Sequence, residues 1–111
     1  MTNFFLVHAN FNYKAKNPFE YQIAMLWKRK FDRDGKILNK KTLIYGHQPL
    51  NIQEIIQSIN KKNKAIGLDN GVNYIKKHKI YDYTQMGNLC ALNLDTFELL
   101  IQYNCEDYPD R

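Results

Sequence analysis

The chain alternates short apolar runs with stretches whose apolar residues recur at helical spacing. Phe4-Phe5-Leu6-Val7 is a continuous apolar run that stops at His8 and gives way to small, turn-prone residues. That is the pattern of a buried strand delivering a histidine to a loop. Thr42-Leu43-Ile44-Tyr45 repeats it, ending in Gly46-His47-Gln48-Pro49. Between the two, Asn17, Pro18 and Glu20 supply an N-cap, a first-turn proline and a carboxylate able to reach back. Phe19, Ile23, Leu26 and Trp27 then share one face, so the spacing predicts a helix over Pro18 to Lys30.

The second half of the chain repeats the logic. Asn51 and Glu54 form another capping pair, and Ile52, Ile55, Ile56 and Ile59 follow the i, i+3, i+4, i+7 spacing of an amphipathic helix. Ala65 to Asp69 reads as a third short strand before an Asn70-Gly71 turn. Gly87 to Tyr103 holds two strand-like runs joined around Asp95-Thr96, the signature of a β-hairpin. Strands that first alternate with helices and then pair directly predict an α/β fold, a mixed sheet with flanking helices.

Composition narrows the picture. At 111 residues, residues 1–111 form one domain, and 44% hydrophobic with 14% aromatic residues is enough to build a core. Phe4, Phe5, Phe11, Tyr13, Phe19 and Trp27 fall on strand and helix faces, which points to core packing rather than a base-stacking platform. No apolar run approaches the roughly 20 residues that span a bilayer. The start has neither a basic leader nor a small-residue cleavage site, so no membrane partner and a cytoplasmic location are expected. Cys90 and Cys105 lack CxxC spacing and read as reduced thiols.

The formal net charge is +5, and between Lys28 and Lys64 ten Lys or Arg face only Asp32, Asp34 and Glu54. This middle segment favours an anionic partner, although most of its lysines read as a solvated face. No recognised motif interleaves the basic and aromatic residues, and nucleic acid is not an expected partner. His78 sits in a Lys76-Lys77-His78-Lys79 run, which disfavours metal binding and leaves it without a role.

His8 and His47 carry the candidate chemistry. Neutral imidazole is a good metal ligand, and neighbouring strands that end side by side bring their terminal residues together where loops can meet substrate. Either histidine taken singly could equally be a structural residue.

The segments VHANFNYKAKNPFEYQIAMLWKR, LIYGHQP, IGLDNGVNY and GNLCALNLDTFELLIQ, nearly the whole chain, resemble the C-terminal part of calcineurin-like metallophosphoesterases. The branch in question is the bacterial one containing serine/threonine protein phosphatases and diadenosine tetraphosphatases. The resemblance implies a binuclear divalent metal centre, with manganese first and iron or zinc as alternatives, and a phosphorylated substrate. The strand ending in V-H-A and the G-H turn would make His8 and His47 metal ligands. The L-W-x-R stretch, here Leu26-Trp27-Lys28-Arg29, would make Arg29 the clamp on the substrate phosphate, a job that suits a planar guanidinium. Asp69, in L-D-N-G, would orient a ligand histidine from behind, and capping of the Asn70-Gly71 turn accounts for it equally well. The fold implied is the C-terminal half of a four-layer α/β/β/α sandwich.

Family members bring further ligands from G-D-x-H-G, G-D-x-x-D-R-G and G-N-H-E motifs, and none of these occurs in the sequence. Two-metal phosphoryl transfer, with metals about 3.5–4 Å apart, needs several carboxylates. The expectation is therefore a partial, truncated domain that binds metal weakly or not at all, is inactive alone, exposes an apolar sheet face, and pairs with a missing N-terminal half or with itself. Asn10 replaces a usual glycine and adds bulk beside His8. The alternative reading is a non-catalytic phosphate- or protein-binding module derived from the same fold.

Overall fold

A computed structural model describes residues 4–11, 14, 16–27, 41–72 and 83–105. Strands β1 (Phe4–Val7), β2 (Thr42–Tyr45) and β3 (Ala65–Gly67) form a parallel sheet in the order β1-β2-β3. Strands β4 (Leu89–Leu92) and β5 (Leu99–Gln102) form a separate antiparallel hairpin. The mixed α/β expectation holds, with the parallel and antiparallel pairings in two sheets rather than in one mixed sheet. Helix α1 (Gln22–Trp27) lies between β1 and β2 in sequence, and α2 (Ile52–Asn60) between β2 and β3.

Local chemistry explains the elements. Asn51 caps α2 by accepting from the Glu54 amide at 2.9 Å, while its own amide donates to the Glu54 carboxylate at 2.8 Å. Ile52, Ile55 and Ile59 are buried, as the isoleucine spacing predicts. In the first helical region Asn17 caps a short 3-10 turn, Pro18–Glu20, and Glu20 reaches back to the Asn17 amide. The chain then departs from helical geometry at Tyr21 before α1 begins, so the helix expected over Pro18 to Lys30 is two pieces as far as Trp27. Residues 28–30 lie outside the described residues.

Apolar side chains pack on both faces of the parallel sheet, so among the described residues the open apolar face expected of a half-domain is confined to the edge strand, where Leu6 stays exposed. Phe11 and Leu43 are buried on one, with Phe5, Val7 and Met25 packed against them. On the other, Ile44 and Ile66 meet Ile55 and Ile59 of α2, and Phe4, Leu92 and Leu99 close around them. A Cβ at Gly67 would fall 2.5 Å from Leu50 Cδ1 and 2.8 Å from Tyr45 Cζ, so a larger residue there would have to displace the ends of those two side chains.

The expected aromatic core is only partly realised. Phe11 is buried and Phe4 and Phe5 are half-buried, but Phe19 and Trp27 are more than half exposed. The reason is the way α1 is anchored. The Ala9 amide donates to the Met25 carbonyl at 2.7 Å, and Met25, not the Ile23–Leu26–Trp27 face, packs on the sheet. Tyr13 lies outside the described residues. Among the described residues no helix is long and apolar enough to cross a membrane.

Candidate metal centre

The register of the parallel sheet pairs Val7 with Tyr45, so β1 and β2 end side by side. The Gly46 amide donates to the His8 carbonyl at 2.8 Å and extends that pairing one step past the strands. The next residue, His47, has φ 68°, a left-handed backbone that L-residues seldom adopt. The Gln48 amide donates back to the Gly46 carbonyl at 2.7 Å, closing a γ-turn around His47 of the rare, strained hand. Strain of this kind costs on the order of 1–3 kcal/mol and concentrates at functional positions.

The turn brings the two imidazoles together. His8 Nε2 lies 3.3 Å from His47 Nδ1, with ring centroids 5.0 Å apart. Trp27, the single tryptophan of the chain, meets the His47 ring edge-on, centroids 5.5 Å apart and planes at 89°. Both expected metal ligands are thus in one place. Arg29 and His78 lie outside the described residues.

The pair sits at the mouth of a cavity of about 760 Å³ between the end of the parallel sheet and the hairpin. Leu6, Leu68, Val72, Leu89 and Leu92 give it apolar walls, and Asp69, Asn70, Asn88 and Cys90 give it polar points. Asp69 Oδ1 accepts from the Gly71 amide at 2.8 Å. That is the turn-capping role foreseen for this carboxylate, and it places Asp69 in the same cavity as the histidines.

Three asparagines dock the hairpin against this end of the sheet. The Asn70 side chain donates to the Leu50 and Gln85 carbonyls at 2.9 and 3.0 Å, and accepts from the Asn88 amide and side chain, each at 3.0 Å. Asn88 also donates to the Tyr83 carbonyl and accepts from the Asn104 amide. Backbone partners on both sides of Asn70 fix which way its amide points. Sequence reasoning missed this network. Its only local signal is three asparagines at turns.

It also passed over Cys90 as an ordinary thiol, although the cavity wall includes it. Burial, and after it the negative charge of Asp69, push the Cys90 thiol above its usual value. A raised value in the fold means that the folded chain holds this proton longer than the unfolded chain. The contribution to stability is therefore present below the ordinary thiol range and lost as pH rises through it. Alkylation with iodoacetamide at pH 8, followed by peptide mapping, should label exposed Cys105 first and Cys90 slowly. Equal rates would contradict the cavity position of Cys90.

The donor geometry fits a metal ion. Zinc–imidazole bonds of about 2.0–2.1 Å put two nitrogens of a tetrahedral site about 3.3–3.4 Å apart, and 3.3 Å is the separation of the two nitrogens. The same geometry also makes a direct, long hydrogen bond between the two rings, its direction set by their tautomers. Among the described residues no third His, Cys, Asp or Glu joins the pair in a cluster able to hold an ion. Comparison of the chain with protein-family models, with characterised proteins and with solved structures finds no match.

Proposed function

We propose that this chain carries part of the metal centre of a calcineurin-like metallophosphoesterase, with His8 and His47 as ligands of a divalent ion. The observation that carries the reading is the 3.3 Å separation of the two ring nitrogens at the adjoining ends of parallel β1 and β2. Strain at His47 supports it, since the backbone holds a costly conformation that aims a ring at its neighbour. The resemblance of the sequence to the C-terminal part of that family supplies the reaction class, hydrolysis of phosphate esters on proteins or small molecules.

A bound metal pair supplies Lewis-acid polarisation of a phosphoryl group and an activated water. The chain's own residues do the rest. His8 and His47 hold one ion at the cavity mouth. Leu6, Val72 and Leu89 give the space beside it an apolar wall that is open to solvent in the single chain. In this reading Arg29 holds the substrate phosphate and Asp69 stiffens the loop that borders the site.

Two imidazoles leave most of a dication's coordination to water, so the isolated chain is expected to bind Mn²⁺ weakly and to show no turnover. Mixing the folded chain with the N-terminal half of a metallophosphoesterase should restore manganese-dependent hydrolysis of p-nitrophenyl phosphate. A well-formed complex without activity would refute the phosphoesterase reading and leave a non-catalytic metal- or anion-binding module.

A further inference from the structure

We propose that a second copy of this chain docks over the histidine pair and completes its metal site, giving one ion held by four imidazoles across a two-fold axis. The inference rests on the reading of His8 and His47 as metal ligands.

The first argument is coordination. In this reading the nitrogens of His8 and His47 take one edge of a tetrahedron, and a two-fold axis through the ion, perpendicular to the bisector of their angle, generates the opposite edge. An isologous dimer supplies that operation with no further residue, because the same patch meets itself. His8 is exposed, so its ring is open to such a partner. Four imidazoles close a tetrahedral zinc site, whereas on an octahedral ion such as manganese they leave two positions for water or phosphate.

A second argument is the surface around the pair. Leu6, Leu89 and Val72 line the same cavity and are 67%, 64% and 42% exposed. Large side chains left in water around a polar centre are the arrangement of an interface, with an apolar ring that shuts out solvent. Strand β1, which carries Leu6, is also an edge of the parallel sheet, with no strand beyond it among the described residues.

Charge is the third argument. A chain of net charge +5 repels its own copy, and the dimer must form where that repulsion is weakest. Among the described residues no lysine or arginine lines the cavity, whose one carboxylate is Asp69. Lys61, Lys62 and Lys64 follow the C-terminal end of α2 and precede β3, at the opposite end of the parallel strands from the histidines.

Sedimentation velocity of the full chain with and without Zn²⁺, with metal content measured in the isolated species, tests the proposal. Zinc should convert monomer to dimer containing one ion per two chains. His8→Ala should abolish the conversion. Leu89→Glu, and separately Leu6→Glu, should keep the circular dichroism of the parent chain but prevent dimerisation and weaken zinc binding at least tenfold. One ion per monomer, lost in His8→Ala, would overturn the second-copy proposal and leave the ligand reading intact. No binding by a folded chain would overturn both. A dimer indifferent to zinc and to His8→Ala would also overturn the shared ion.

Discussion

Asn70→Ala is expected to be among the most destabilising single substitutions in the chain, at about 3–5 kcal/mol in urea unfolding. The amide of Asn70 uses both donors and both acceptor positions, and its side chain is buried. Alanine leaves the Leu50 carbonyl and two Asn88 donors without their partner, while the Gln85 carbonyl keeps the Ile52 amide. Each buried group left unpaired costs about 1–3 kcal/mol, reduced where water can enter. Domains of this size are stable by only about 5–15 kcal/mol. Asn70→Asp keeps the oxygen that accepts from Asn88 but sets a buried carboxylate oxygen against the two carbonyls, so at neutral pH it should be at least as destabilising as Asn70→Ala. A loss under 1 kcal/mol for Asn70→Ala would mean that the hairpin is held by its apolar face alone, through Leu92 and Leu99.

At His47 the expected result separates binding from stability. His47→Ala and His47→Gly should each weaken Zn²⁺ binding by at least about 100-fold, more than is typical of losing a group that only supports a ligand. Their stabilities should differ. Glycine takes the left-handed backbone freely, while alanine keeps the cost of φ 68°. His47→Gly should therefore be about 1 kcal/mol more stable than His47→Ala. The fluorescence of Trp27, the only tryptophan, should report metal binding directly, because its indole touches the His47 ring. Unchanged affinity in both variants would remove His47 from the site.

The sequence was most readable where a feature is made by neighbours in the chain. The run Phe4–Val7, the run Thr42–Tyr45, the Asn51 cap with its isoleucine stripe and the turn at Asp95-Thr96 each depend on a few adjacent residues, and each stands where its pattern puts it. The meeting of His8 and His47 follows from the same logic, since parallel strands in register end together. What escaped was decided over distance. Nothing near Tyr21 announces that Met25 will win the contact with the sheet and leave Trp27 in solvent. The Asn70–Asn88–Asn104 links join residues 18 and 16 positions apart, a span that no local pattern encodes. The γ-turn was hidden for a different reason. A non-glycine residue at positive φ runs against backbone preference, so sequence reasoning places it elsewhere.

The in-register ending of β1 and β2 has a consequence for how this chain can change in length. The interval from Val7 to His8, and from Tyr45 through Gly46 to His47, is counted in single residues against the pleat of the sheet. One residue inserted inside either strand sends every following side chain to the opposite face and carries its histidine with it. The turn at Lys61–Asn63 faces no such bookkeeping, because α2 and β3 can absorb an extra residue there without disturbing what lies at the far end of the strands. A scan of single-residue insertions should therefore divide the chain into permissive connections and two intolerant stretches, 4–8 and 42–47, and the boundaries of those stretches would mark the ruler by which the two rings are spaced.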